Sequence, residues 1–330
     1  MAGSGQKVIL MAIFGNGVIT ILKFIAWFFS KSPSLLAEGV HSFADTTNQI
    51  LLLVGLKHSQ FKPSDDFPNG HGEARYLWNL ISAVGVFFIG FGVTAYHSLH
   101  SLYIGDFSPG EPSYLGIGVL VISLLVEGFV LKQAWSEVKY QKKTKSLIQF
   151  FKDSDDPTVL AILLEDGVAV LGLLFALLGL FLGQVFQNAI FDIIASLFIA
   201  ILLGVMAILL GLMNGKLLIG KSVSKDHIAF IREFINSLSY VSEIKRLETQ
   251  IIGAGAVRLS MELILAEDKI LTISQLEHER DRLAAGEEPM KVLHGFQRRV
   301  LRSTGHAINV IERELTKEFP EIRIIDLELD

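Results

Sequence analysis

Glu38, His41, Asp45 and Asn48 follow one another at spacings of three, four and three residues inside an apolar run. At 3.6 residues per turn, those spacings stack four polar side chains along one stripe of a helix. An imidazole and a carboxylate one turn apart can both hold one divalent cation. The same two groups can also form a buried His–Asp hydrogen bond between packed helices, and the spacing alone leaves both readings open. An ionisable group at the centre of a bilayer costs at least ~2.5 kcal/mol on insertion scales, so a row of them in a membrane span marks a functional site. A second constellation lies in the run Leu160-Ala-Ile-Leu-Leu-Glu165-Asp166-Gly167-Val-Ala-Val-Leu-Gly172. Two adjacent carboxylates in so apolar a run point inward rather than at lipid. Gly167 and Gly172 are expected to admit another helix at close range. The two runs together make one cluster of hard ligands.

Other polar residues carry weaker signals. Lys23 stands near the expected outer end of the first apolar run, where a lysine can snorkel to the interface. Glu127 in the fourth run needs a partner, such as a nearby lysine, or relays protons. Asp192 opens the sixth run and reads as a favourable charge at a helix N-terminus. The turn Asp65-Asp66-Phe67-Pro68-Asn69-Gly70-His71-Gly72-Glu73 holds a second candidate metal site in Asp65, Asp66 and His71, set against the reading of solvated turn residues.

The elements that must position these groups follow from hydropathy. Apolar runs near residues 8–29, 34–57, 77–104, 113–133, 158–182 and 189–213 each suit a membrane-spanning helix. Lys57, Lys62 and Arg75 lie between the second and third runs, and Lys132, Lys139, Lys142, Lys143, Lys145 and Lys152 between the fourth and fifth. The opposite side has Lys31, with Asp106 and Glu111 around Pro109-Gly110. Positive charge stays inside, which puts the lysine-rich segments and both termini in the cytoplasm.

The 330 residues are 51% hydrophobic and only 19% charged, and the charge is concentrated after residue 214. That shift divides the chain into a six-span transmembrane domain, 1–214, and a cytoplasmic domain, 215–330. In the latter, a helix from Ser224 to about residue 238 precedes strands near 243–252 and 256–265. Helical stretches at 273–286 and 288–318 and a last strand, 322–329, complete an α+β fold of ferredoxin-like character. Without cysteine the chain has neither disulfides nor thiolate ligands, so any metal must be held by His, carboxylate, amide or water. A net charge of −5 speaks against a nucleic-acid partner.

The chain resembles the cation diffusion facilitator family, closest to its zinc transporter nine branch. The likeness rests on Ser34-Leu-Leu-Ala-Glu38-Gly-Val-His41-Ser-Phe-Ala-Asp45, on Gly70-His71-Gly72-Glu73-Ala74, on Leu164-Glu165-Asp166-Gly167 and on Phe191-Asp192-Ile-Ile-Ala-Ser196. It implies a homodimer in a lipid bilayer that exchanges a divalent cation for protons, with no further cofactor. It also implies four ligands from the second and fifth spans, among them His41, Asp45 and Asp166. The remaining ligand should stand where the chain has Ile162. Glu165, offset by about −60° from that position with Asp166 at about +40°, is one substitute, and Glu38 is the other. Phe67 replaces the first His of the family's loop motif, and Arg258-Leu-Ser-Met-Glu262 lacks the histidines of a cytoplasmic binuclear site.

These readings converge on a secondary transporter rather than an enzyme, exporting Zn²⁺ by proton antiport. The setting expected is a multi-pass protein of a bacterial inner membrane. A Mn²⁺-selective transporter of the same fold and a membrane scaffold or regulator that has lost transport are the rivals.

Overall fold

The computed structural model describes residues 2–105, 107–108, 114–142 and 157–330. Asp106, Glu111 and the Pro109–Gly110 turn lie outside them, as do Lys143, Lys145 and Lys152 of the lysine-rich segment. The chain forms two compact units, Met1–Ile219 and Gly220–Asp330. The division falls five residues later than hydropathy places it, because the sixth helix continues through Lys216 to Ile219.

The first unit is helical. Its elements are α1 (Ala2–Ser30), α2 (Pro33–Ser59), α3 (Ala74–Ile104), α4 (Tyr114–Lys142), α5 (Pro157–Val185) and α6 (Ile190–Ile219). Stretches of α1, α3, α4, α5 and α6 are long and apolar enough to cross a membrane. α2 is not among them by composition. Its 27 residues reach about 40 Å, but its polar stripe lowers the hydropathy of the run. That stripe faces protein: Ser34, Glu38, His41, Ser42 and Asn48 are all buried. α2 therefore turns its polar stripe into the unit, packed against α1, α3, α5 and α6.

Local chemistry starts and interrupts these helices. Ser32 caps α2 by accepting the Leu35 amide at 3.2 Å, and Pro33 follows at the first helical position. Asn188 accepts the Ile190 amide at 2.9 Å at the start of α6. α3 carries a π-helical stretch, Val86–Val93, between two α-helical ones, Ala74–Gly85 and Thr94–Ile104. Small residues set the close crossings. A Cβ on Gly179 of α5 would sit 2.6 Å from Ala195 Cβ and 3.1 Å from the Phe191 carbonyl of α6. The shared core joins Leu35 and Ala37 of α2 to Leu173 and Ala176 of α5 and Ile199 and Leu203 of α6.

The second unit follows the expected element order closely. α7 (Lys225–Ser237) precedes the hairpin β1 (Val241–Gly253) and β2 (Ala256–Leu265). A single turn, α8 (Glu267–Ile270), which hydropathy does not signal, then leads to α9 (Ile273–Ala284), α10 (Pro289–Glu318) and β3 (Ile322–Leu329). The sheet order is β1-β2-β3, with β1 and β2 antiparallel and β3 parallel to β2. Alternation along β2 buries Val257, Leu259, Met261 and Leu263 on one face. That face packs on Ile231 and Ile235 of α7 and Ile311 and Leu315 of α10, so this unit has a core of its own.

Candidate metal centre

His41 and Asp45 share a face of α2, with His41 Nε2 3.4 Å from Asp45 Oδ2. His41 is 1% exposed. Neither of its ring nitrogens has a hydrogen-bond partner among the described residues. A buried imidazole with both nitrogens unsatisfied is costly unless something else binds there. This argues against a simple structural His–Asp hydrogen bond.

α5 brings its two carboxylates toward that face. Glu165 Oε1 accepts a hydrogen bond of 2.8 Å from Asn48 Nδ2, and Asn48 Oδ1 accepts one of 2.7 Å from Ser82 Oγ of α3. The side chain that turns Glu165 toward α2 thus belongs to the polar stripe itself. Asp166 presents a buried oxygen, Oδ2, with no hydrogen-bond partner among the described residues. Asp45 lies within Coulombic reach of both α5 carboxylates. Ile162 is 42% exposed. Residues 165 and 166 flank the line of 162 on the helix, one on each side.

Glu38 is placed differently. Its Oε2 accepts a hydrogen bond of 2.9 Å from Lys23 Nζ. Its carboxylate reaches α5 at Gly172, where a Cβ would lie 2.5 Å from Glu38 Oε1. Gly172 therefore provides the close approach expected of it. Gly167 does not, since a Cβ there would meet nothing within 4 Å.

Lys23 does not snorkel. It is fully buried, donates to Ser42 Oγ at 2.8 Å as well as to Glu38, and lies 3.6 Å from Glu127 Oε1. The lysine anticipated as a partner for Glu127 is this one, supplied by α1. Hydropathy misses it because a lysine near a helix end and one turned into a bundle leave the same signature. The unpartnered Glu38 and Glu127 carboxylates were the available clue. Asp192 does more than sit at the first turn of α6. It accepts from Ser32 Oγ at 2.6 Å and from Ser34 Oγ, joining the start of α6 to the start of α2.

The loop residues are not gathered into a comparable cluster. Asp65 and Asp66 are exposed, while His71 packs among aromatic rings, 4.4 Å from the Phe67 centroid and 5.3 Å from that of His58. Among the described residues, no three His, Asp or Glu side chains form a metal-holding group as they stand, in this loop or between α2 and α5.

The cation efflux transmembrane domain profile matches residues 9–219, most of the chain and all six helices from α1 to α6. The chain belongs to the cation efflux family. Its first unit is accordingly a multi-pass membrane domain. The mouse proton-coupled zinc antiporter SLC30A9, mitochondrial, is 32% identical over 333 residues, covering 98% of this chain and 58% of that protein. Metal tolerance protein C4 of Arabidopsis thaliana is 29% identical over 98% of this chain and 73% of that protein. The manganese efflux system protein MneP of Bacillus subtilis is 26% identical over 82% of this chain and 86% of its own length. The chain thus spans less than two thirds of the length of the vertebrate antiporters it matches. Their mitochondrial designation gives no support to a bacterial inner membrane as the location.

Proposed function

We propose that this cation efflux protein carries a divalent cation, Zn²⁺ first, out of the cytoplasm in exchange for protons, as a secondary transporter rather than an enzyme. The observation that carries the reading is the buried His41 imidazole. Both its nitrogens lack hydrogen-bond partners among the described residues, it lies beside Asp45, and the carboxylates of Glu165 and Asp166 on α5 lie within Coulombic reach of Asp45. One imidazole and three carboxylates are a hard, borderline donor set suited to Zn²⁺. Glu165 supplies the fourth ligand in place of Ile162, since Glu38 is held by Lys23. Closing α2 on α5 would draw the four groups onto one cation, and opening toward the other side would release it. Ligands must be deprotonated to bind, so protons and metal compete for the same groups, which is the requirement of antiport.

Mn²⁺ is the second reading. It is favoured by the carboxylate-rich set and by the likeness to a protein named for manganese efflux. In keeping with the lysine distribution, both termini and the second unit are placed in the cytoplasm, with a homodimer as the working assembly. Flux into proteoliposomes with a panel of metals tests the proposal. Zn²⁺ uptake that depends on an opposing proton gradient supports it, and no metal-dependent flux from a folded, correctly inserted protein overturns it.

A further inference from the structure

Beside the proposed metal cluster is a second group of charges that the transport reading does not use. Glu38 of α2 and Glu127 of α4 converge on one point, and Lys23 of α1 fills it. The ammonium donates to Glu38 Oε2 at 2.9 Å and to Ser42 Oγ at 2.8 Å, and stands 3.6 Å from Glu127 Oε1. Each carboxylate keeps one buried oxygen, Glu38 Oε1 and Glu127 Oε2, with no hydrogen-bond partner among the described residues. Lys23 and Glu38 are both 0% exposed. Two carboxylates and a hydroxyl around one positive charge are the donor set of a cation site, occupied here by the chain's own cation.

We infer that Lys23 is a tethered resident cation that fills a second, carboxylate-built cation site formed by Glu38, Ser42 and Glu127. Its effect is to withhold two carboxylates from the transported metal. Glu38 is one helical turn from His41 on the same stripe, and Glu127 lies within Coulombic reach of His41, Asp45 and Asp166. With the ammonium absent, five carboxylates would surround one imidazole. That richer oxygen set would admit a second divalent cation and favour ions that take six or more oxygens over Zn²⁺. Lys23 is therefore a positioning and specificity residue, acting through Glu38 and Glu127 without touching the metal. The inference builds on the transport site, but the charge trio exists independently of it.

The test is a binding isotherm on the full chain in detergent, with Zn²⁺ and separately with Mn²⁺ as the probe. Lys23→Met should bind one more equivalent than wild type, with the larger gain for Mn²⁺. Lys23→Arg should keep the wild-type number, and Lys23→Met combined with Glu38→Gln should lose the extra equivalent. An unchanged number in folded Lys23→Met overturns the inference. Should that variant fail to fold, X-ray absorption at the zinc edge of Zn²⁺-loaded Glu38→Gln decides. The wild-type coordination shell should persist, and loss of an oxygen ligand would show Glu38 to be bound to metal rather than to Lys23. Wild type that binds no metal contradicts the transport reading, while an equivalent gained by Lys23→Met would still report on the Lys23 site.

Discussion

His41 is the residue on which the proposal turns, because burial without hydrogen bonds makes its two nitrogens available to a ligand and expensive to leave bare. His41→Ala and Asp45→Ala should each reduce metal flux by more than ~100-fold, since loss of an outer partner of a metal ligand already weakens binding about 10–100-fold. Equal expression and an unchanged elution volume would show that the fold survived. With Glu165 as the proposed ligand, Asn48 is such an outer partner: it donates to Glu165 and is itself held by Ser82. Asn48→Ala should therefore weaken Zn²⁺ binding about 10–100-fold while leaving the number of sites unchanged, as measured by competition with a zinc-sensitive dye. Glu165→Gln should be more severe than Asn48→Ala, because the amide removes the charge that the ligand contributes. A mild Glu165→Gln effect would return the fourth position to another residue.

At the scale of elements, α5 and α6 are held together at a crossing that has no room for a side chain. A methyl group on Gly179 would be 2.6 Å from Ala195 Cβ and 3.2 Å from the Asp192 Cα, so it meets backbone that cannot swing aside. Gly179→Ala should destabilise the first unit by about 1–3 kcal/mol, the usual range for overpacking, and lower its unfolding temperature in detergent. The same substitution at Gly167, where a Cβ would meet nothing within 4 Å, should leave that temperature nearly unchanged. α2 owes its orientation to its polar stripe. The charged residues of the eight-residue stretch from Glu38 to Asp45 cannot face lipid without a large penalty, so that face is drawn inside, while Phe43, Ile50, Leu52 and Val54 of the same helix stay exposed. The serine pair that binds Asp192 fixes one end of α2 to α6, whereas further along the helix Asn48 contacts Glu165 of α5 through a polar hydrogen bond.

For the whole molecule, the transport proposal predicts a sign for the proton gradient. In inverted vesicles, metal uptake should need an acidic interior, and acid added on the metal-loading side should inhibit, because protonated His and carboxylates no longer bind. Uptake that ignores a gradient verified by a pH-sensitive dye would remove the antiport. The division into two units makes a separate forecast. Residues 220–330 bury Ile235, Leu259, Leu263, Ile311 and Leu315 within their own boundary. That segment should fold as a soluble α+β domain on its own, with cooperative thermal unfolding by circular dichroism.

Hydropathy and spacing determine by themselves that a membrane unit precedes an α+β unit, that α2 carries a polar stripe, and that Glu165 and Asp166 set two adjacent carboxylates in an apolar run. These features are local: they depend on periods of 3.6 and 2.0 residues and on runs of apolar side chains, all of which are written along the chain. The pairing of carboxylates with cations was not legible there. Glu38 looks as fit to bind metal as Glu165 when only the α2 stripe is considered, and Lys23 looks like an interfacial lysine. Which way α1 and α4 are rotated about their axes decides both, and that rotation is set by packing against neighbours rather than by any residue of the stripe. Likewise, Gly167 and Gly172 are equivalent as letters. Only the crossing of α2 over α5 makes Gly172 the one whose missing side chain leaves space for the Glu38 carboxylate. The tertiary structure thus separates a carboxylate held by the chain's own ammonium from one held by Asn48 of the α2 stripe. The physical reason is that a buried charge must find its partner in space, across helices far apart in sequence.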